Sequence, residues 1–169
     1  MIILSKLMRG GGVCPPRPAI DHVALSWLGG FIAITAVAYL ADTTHMPLVL
    51  GSFGASCVLM FGFPESPFSQ PRNVIGGHVI ASFVGLVFLG AFGVEWWSMA
   101  LAAATAIGAM QLTRTVHPPA GSNPVIVMLT APSWQFLLTP TLLGACILVI
   151  VALIFNNMPS KRNYPMYWY

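Results

Sequence analysis

Charged side chains are scarce in this chain. Its 169 residues include 7 Lys and Arg and 4 Asp and Glu, which is 7% of the chain, against about 25% in an ordinary soluble domain. So few charges could not cover the core that 57% hydrophobic residues would form, so a soluble domain is excluded. The net charge of +3 comes without a basic run interleaved with aromatic residues, which argues against nucleic acid as a partner.

Catalytic and metal-binding patterns are also missing from the sequence. Cys14, Cys57 and Cys146 have no metal-ligand spacing, and we expect them to pack as small side chains. No Ser–His–Asp, His-Glu-x-x-His or Walker-type pattern occurs. We therefore expect no enzyme activity, no metal site and no cofactor.

The charges that do occur divide the chain into long uncharged stretches. Between Asp21 and Lys161 there are only five, namely Asp42, Glu65, Arg72, Glu95 and Arg114. A helix of about twenty apolar residues crosses a bilayer core of roughly 30 Å. The spacing therefore predicts an integral membrane protein whose charges mark turns at the water boundary.

Six apolar segments can be drawn between these turns, and two of them are interrupted. The segments are 23–41, 46–63, 74–94, 97–116, 117–131 and 135–155. The second contains Gly51 and Gly54, and the fifth contains Pro118, Pro119 and Pro124. Because Pro removes a backbone donor and Gly weakens a helix, each predicts an extended lead-in and a short helix, at about 55–62 and 123–130. Irregular backbone at membrane depth survives only where protein buries it or where it lines a water-filled cavity.

The predicted fold class is an all-α polytopic membrane protein with four long transmembrane helices and two short broken half-helix segments. A shift of about 67 residues aligns Gly54 with Gly121 and Gly77 with Gly144. This indicates two halves of one transmembrane domain spanning residues 23–157, at about 23–94 and 97–157. Since each half has three segments, the halves run in opposite directions, as inverted repeats do in many transporters.

Topology follows from the positions of the basic residues. Six crossings place Arg72 and Arg114 on the same side as the two tails, 1–22 and 158–169, in agreement with the positive-inside rule. The tails carry Lys6, Arg9, Arg17, Lys161 and Arg162. Four crossings with two re-entrant segments would place Arg72 and Arg114 outside instead. We expect six crossings in a bacterial cytoplasmic membrane, with both termini in the cytoplasm.

The starts of the two short helices are the predicted binding site. A helix start presents unpaired N–H groups and a partial positive charge, so it attracts anions. Neither break contains an acidic residue, which favours an anion or a small polar solute over a cation such as Ca²⁺ or Mg²⁺. The alternative is that Ser and Asn side chains there simply cap buried helices. The site residues predicted from the breaks are Gly54, Ala55, Ser56, Gly121, Ser122 and Asn123.

Two histidines and two arginines complete the candidate site. Ionisable residues inside membrane segments usually face the bundle interior and are often functional. His78 and His117 are therefore expected to bind the solute, carry a proton, or make a structural hydrogen bond. Arg72 and Arg114 flank the inner ends of the breaks, where they either concentrate anions at a mouth or serve as interfacial anchors.

Several motifs resemble those of the HPP family of small integral membrane proteins. The stretch Thr113–Gly121 resembles the family signature, and Gly51–Ser56, Gln70–Asn73 and Gly76–His78 resemble its other motifs in the expected order. The likeness covers about residues 20–158. It implies a transporter-like protein, with plant-plastid and cyanobacterial relatives linked to nitrite transport. The family is usually described with four spanning helices, which differs from the six segments drawn here.

The function expected from these observations is a transporter or channel for a small anion, with nitrite as the leading candidate. One alternative is a channel for a small neutral or weakly acidic solute such as nitrous acid. Another is a non-transporting membrane scaffold or partner subunit. The expected partners are the small anion, the lipid bilayer and further copies of the chain, because six short segments form a thin wall.

Overall fold

The computed structural model describes residues 12–158 and 162–169, and the regular elements in these ranges are helical. Short 3-10 turns occupy Pro67–Ser69, Pro118–Ser122 and Trp134–Leu137, and a π-helical turn occupies Leu138–Leu142. The predicted basic residues Lys6, Arg9 and Lys161 lie outside the described ranges. The α-helices are α1 (Ile20–Thr44), α2 (Ser52–Gly62), α3 (Pro71–Phe92), α4 (Trp96–Leu112), α5 (Asn123–Thr130) and α6 (Leu143–Asn157).

Three helical stretches of the described chain are long and apolar enough to cross a membrane. They are Ile20–Thr44, Pro71–Phe92 and Trp134–Asn157. The fourth predicted spanning segment ran to Val116, but its helix ends at Leu112 after 17 residues. It stops there because Arg114 adopts a left-handed backbone, with φ of 57°. The expectation of four long helices is therefore met by three, with α4 shorter.

The two interrupted segments differ from each other in how their helices start. Helix α5 starts at Asn123, as predicted. Helix α2 starts at Ser52, so the predicted start at Ala55 is wrong. Gly51 already has helical φ and ψ of −58° and −31°, and Gly54 lies inside the helix, where glycine weakens a helix without breaking it. In the fifth segment Pro118 and Pro119 fold into a 3-10 turn instead.

One end of the bundle collects most of the described arginines. His22 Nε2 lies 2.9 Å from the Gly62 carbonyl oxygen, and Arg162 Nη1 donates to the Phe61 carbonyl at 3.3 Å. Arg72 Nη2 donates to the Thr113 carbonyl at 3.0 Å. The starts of α1 and α3 therefore lie beside the ends of α2, α4 and α6. We call this the basic end, and the opposite end carries Asp42 and Glu95.

The helices pack in a crossed order. Helix α1 packs on α2 and α6, whereas α4 packs on α3 and α5, and α3 also packs on α5. Glycines bring the extended lead-ins of α2 and α5 close to the long helices. A Cβ on Gly77 would lie 2.9 Å from the Thr115 carbonyl oxygen, and one on Gly144 would lie 2.7 Å from the Leu48 carbonyl oxygen. These close approaches bury Leu48 and Thr115 in the irregular lead-ins, whereas Val49 beside Leu48 stays exposed.

The described part of the C-terminal tail lies against the basic end of the bundle. Tyr164 Oη donates to the Ser69 carbonyl at 2.8 Å, and the Met166 N–H donates to Gln70 Oε1 at 2.7 Å. Tyr167 Oη donates to Asn73 Oδ1 at 3.0 Å. Burial raises the pKa of the Tyr164 hydroxyl, which keeps it a donor. This tail, defined as residues 162–169, therefore covers the turn that precedes α3.

Candidate functional site

The starts of the two short helices meet inside the bundle. Ser52 Oγ donates to Asn123 Oδ1 at 2.8 Å, and the two side chains are 4% and 0% exposed. Helix α2 runs from this point toward the basic end and α5 toward the opposite end, so two partially positive helix starts face each other. His78 lies about 10 Å and Ser82 about 16 Å along the 22 residues of α3. The meeting point is therefore about halfway through the bundle.

Seven polar side chains surround this meeting point, and we call them the polar cluster. They come from α2, α3, α5, the lead-in to α5 and the π-helical turn, and none is more than 4% exposed. Hydroxyl, amide and imidazole groups make up the cluster, without a carboxylate, an ammonium or a guanidinium. Its members are Ser52, Ser56, His78, Ser82, His117, Asn123 and Thr141.

Ser56 joins the two histidines. Its Oγ lies 2.9 Å from His78 Nε2 and 2.8 Å from His117 Nε2. The imidazole rings are 4.9 Å apart between centroids and inclined by 64°. The other ring nitrogen of His117, Nδ1, lies 2.7 Å from the Phe68 carbonyl oxygen. A single hydroxyl thus links a residue of the long helix α3 to the lead-in of α5.

Asn123 extends the cluster toward α6. Its Nδ2 lies 3.1 Å from His78 Nδ1 and donates to Ser82 Oγ at 2.9 Å. Ser82 Oγ lies 3.0 Å from Thr141 Oγ1. Among the described residues, Ser98 has the only buried side-chain oxygen or nitrogen without a partner, and it lies outside the cluster. The polar atoms of the cluster are therefore satisfied by one another and by backbone carbonyls such as that of Phe68.

With both imidazoles neutral, the hydrogen-bond partners are consistent with the following arrangement of protons, in which the Ser56 hydroxyl also lies 3.2 Å from the Ser52 carbonyl oxygen. The Phe68 carbonyl only accepts, so His117 Nδ1 carries a hydrogen and His117 Nε2 accepts from the Ser56 hydroxyl. Ser56 Oγ can then accept from His78 Nε2, which leaves His78 Nδ1 to accept from Asn123 Nδ2. Both imidazoles are neutral in this assignment. The cluster can thus offer hydroxyl and amide donors to an anion, and two imidazoles to a proton.

Four of the predicted site residues lie together in the cluster. They are Ser56, His78, His117 and Asn123. Neither short helix carries a side-chain cap, so the alternative that Ser and Asn serve as caps is wrong. The side chains point instead across the bundle at residues of other helices.

The other four predicted site residues do not line a shared pocket. Gly54 and Ala55 are exposed on the outer side of α2, because the helix begins before them and turns them away from Ser52 and Ser56. Ser122 is exposed and donates to the Pro119 carbonyl at 2.8 Å, and Gly121 is half-buried. These four positions therefore lie outside the polar cluster, contrary to the expectation that all eight site residues would come together.

The two predicted mouth residues lie at the basic end, outside the cluster. Arg72 is half-buried and holds the Thr113 carbonyl, while Arg114 is exposed. No group of three or more His, Cys, Asp or Glu residues that could hold a metal ion occurs within residues 12–158 and 162–169. The site therefore consists of neutral donors and acceptors, with positive charge at one end of the bundle.

Sequence reasoning missed three members of the cluster. Ser52 precedes Ser56 by four residues and Ser82 follows His78 by four, so each pair lies on one face of a helix. That spacing could have found both residues once the helix bounds were known. Thr141 gives no comparable signal, since it reaches the cluster through the turn around Pro140.

A cavity of about 380 Å³ opens at the opposite end of the bundle. Its wall includes Val49, Leu50 and Gly51 on one side, and Thr130, Ser133 and Gln135 on the other. Gly51 directly precedes Ser52 of the polar cluster. The cavity therefore ends one residue from the buried site.

An apolar helical bundle with interrupted helices meeting at a buried polar cluster is the architecture of an integral membrane protein. A family model described as HPP, transmembrane region, matches residues 15–165. The chain belongs to the HPP family, as its motifs predicted.

Similar curated proteins include two from Dictyostelium discoideum that are named only as transmembrane proteins. One is 39% identical over 92% of this chain and 59% of its own length. The other is 35% identical over 97% of this chain and 57% of its own length. This chain thus spans less than two thirds of these relatives. No solved structure matches the chain at a significant level.

Proposed function

We propose that this protein transports a small monovalent anion, with nitrite as the first candidate, through the polar cluster. The observation that carries the proposal is the meeting of two oppositely directed helix starts at a buried cluster without carboxylates. Two positive helix ends stabilise negative charge. The hydroxyls of Ser52 and Ser56 and the amide of Asn123 supply donors that could turn from each other toward the anion. Nitrite is named because the HPP resemblance includes relatives linked to its transport.

Repeated element starts support the inverted-repeat arrangement that we propose for the transporter. The 3-10 turns at Pro67 and Trp134 start 67 residues apart, as do the helical stretches at Pro71 and Leu138. Helix α1 leaves the basic end, whereas α4, the first helix of the second half, returns to it. In transporters with inverted repeats, the substrate binds near the midplane between discontinuous helices, and the position of the cluster about halfway through the bundle supports the same arrangement here.

Six crossings are part of the same proposal. Residues 46–51 in extended form reach about 20 Å, and the 11 residues of α2 add about 16 Å. Together they match a bilayer core of roughly 30 Å. The arrangement puts Arg72, Arg114 and Arg162 on one side, which we take to be the cytoplasm of a bacterium. Both described tails then lie in the cytoplasm.

We further propose that the protein works as a homo-oligomer. The most apolar window of α1 is 17% buried, against 44% for α3 and 39% for the stretch that contains α6. Of these three stretches, α1 is therefore the least buried inside one copy of the chain, which leaves it available for contacts with another copy. Cross-linking in membranes, followed by mass determination, tests this part of the proposal separately from transport.

Flux measurements in proteoliposomes test the transport proposal. Purified protein is reconstituted, nitrite is added outside, and internal nitrite is followed under an imposed membrane voltage or an imposed pH gradient. Uptake of the anion should follow the voltage. Absence of flux for nitrite, nitrate, chloride and formate in correctly folded protein would contradict the proposal and favour a scaffold or partner subunit.

A second candidate function is a channel for the neutral acid, here nitrous acid. The hydroxyl of Ser56 between two imidazoles favours it, because that chain could give nitrite a proton on entry and take it back on exit, so that the solute crosses as the neutral acid. Flux would then follow the pH gradient and ignore the voltage. The same vesicles therefore separate the two candidates.

A further inference from the structure

The opposite end of the bundle has a cavity, whereas the basic end is closed by hydrogen bonds. The repeated elements allow the two ends to be compared position by position. At the opposite end, a cavity separates the lead-in of α2 from the turn before α6. Its lining residues include Val49 and Leu50 from the first segment and Gln135, Thr139 and Pro140 from the second. The cavity reaches Gly51, the residue directly before the start of α2.

The 67-residue offset assigns each of these positions a counterpart at the basic end. Val49 corresponds to Val116 and Leu50 to His117, while Gln135, Thr139 and Pro140 correspond to Phe68, Arg72 and Asn73. All five counterparts belong to two chain segments, 113–117 and 68–73. The basic end therefore has the same two walls as the cavity at the opposite end.

At the basic end, hydrogen bonds join these two walls. His117 Nδ1 lies 2.7 Å from the Phe68 carbonyl oxygen, and Asn73 Nδ2 donates to the Val116 carbonyl at 2.9 Å. Arg72 donates to the Thr113 carbonyl at 3.0 Å. The segments that a cavity of about 380 Å³ separates at one end are thus closed onto each other at the other end.

The same glycine contact occurs at both ends of the bundle, with the two halves of the chain in exchanged roles. Gly77 approaches the Thr115 carbonyl, and Gly144 approaches the Leu48 carbonyl. Gly144 is 67 residues after Gly77, and Thr115 is 67 residues after Leu48. Each half thus holds the lead-in of the other half in the same way. Because the contact is present at the open end and at the closed end, opening does not require it to break.

We infer that the protein has a second substrate vestibule at the basic end, which is closed in this structure and opens when the cavity at the opposite end closes. Its walls are 113–117 and 68–73, its floor is His117, and Arg72 and Arg114 lie at its mouth. This inference rests on the proposed transport of a small anion. The arginines would make it the more anion-attracting of the two vestibules, since Thr139 takes the place of Arg72 at the other end.

The C-terminal tail, residues 162–169, holds one wall of this vestibule. It bonds Ser69 through Tyr164, Gln70 through Met166 and Asn73 through Tyr167. Asn73 in turn bonds the opposite wall at Val116. The tail therefore stabilises the closed form of the basic end.

Single cysteines at the two matched valines test the inference without requiring transport. Cys14, Cys57 and Cys146 are first replaced, and V49C and V116C are made separately in the full chain. Val49 is 52% exposed, whereas Val116 is half-buried beside the closed wall. A membrane-impermeant maleimide is added to each side of vesicles, and labelling rates are measured with and without N73A and with nitrite on either side.

We expect N73A to change the labelling rates of V49C and V116C in opposite directions. V49C should react quickly from the opposite side, and V116C slowly from the basic side. Loss of the Asn73 bond in N73A should speed V116C by about fivefold and slow V49C. T43A, whose hydroxyl bonds its own helix at Tyr39, should change neither rate.

Two results would overturn the inference. One is that V116C stays protected in N73A and with nitrite on either side. The other is that V49C and V116C speed up together, which means loosening or a continuous pore. Labelling that reverses without any flux keeps the vestibule and removes the proposed substrate, so the two proposals fail separately.

Discussion

Ser56 is the residue whose removal the structure makes most informative. The change Ser56→Ala deletes one buried oxygen that partners both His78 and His117. Buried side-chain hydrogen bonds between membrane helices contribute about 0.6 kcal/mol on average and up to about 1.7 kcal/mol. Two such bonds, with two imidazole nitrogens left unpaired, therefore predict a loss of about 1 to 3 kcal/mol in the free energy of unfolding.

The matched control is Ser122→Ala at the start of the other short helix. Ser122 is exposed and bonds only the Pro119 carbonyl, so its loss should cost less than about 0.5 kcal/mol. Unfolding in a mixed micelle with increasing denaturing detergent compares the two variants. Nitrite uptake should also fall about tenfold or more for Ser56→Ala alone, since about 1.4 kcal/mol is a factor of ten. Equal stability and equal uptake in the two variants would refute the assignment of the site to the polar cluster.

Three further predictions concern the glycine contacts, the topology and the C-terminal tail. Gly77→Ala should destabilise the protein by about 1 to 3 kcal/mol, because its Cβ would lie 2.7 Å from His117 Cβ. A Cβ on Gly90 would meet nothing within 4 Å, so Gly90→Ala should leave the free energy of unfolding unchanged in the same assay. Cysteines at the exposed positions Glu65 and Ser133 should react with an impermeant maleimide from opposite sides of the membrane, and reaction from the same side would favour four crossings. Tyr164→Phe, which removes the bond to Ser69, should speed labelling of V116C, whereas Tyr169→Phe, at a side chain 97% exposed, should leave the rate unchanged.

The membrane class and the order of elements could be predicted from the sequence because they depend on local composition. The few charged residues mark the turns between the apolar segments. Pro118, Pro119 and Pro124 fix the start of α5 at Asn123. The start of α2 could not be predicted in the same way. Glycine leaves both helix and loop accessible, so burial of Phe53 against the close approach of Gly144 decides that the helix begins at Ser52.

The candidate site could be predicted only in part. Ser56 and Asn123 were found because they stand in the breaks at the predicted helix starts, and His78 and His117 because ionisable residues are rare inside membrane segments. Which side of a short helix faces the bundle depends on where that helix starts. Because α2 starts at Ser52 and not at Ala55, Gly54 and Ala55 face away from the bundle. Thr141 reaches the cluster through tertiary packing alone, which no local pattern reports.

The crossed packing of the helices determines when the fold can close during synthesis. Helix α1 packs on α6 as well as on α2, although α1 begins at Ile20 and α6 begins only at Leu143. Until residues 143–157 have entered the bilayer, one side of the first helix remains covered by lipid. Contacts between such distant parts of a chain form slowly. The packing of α1 in the bundle can therefore be completed only after residues 143–157 have been inserted.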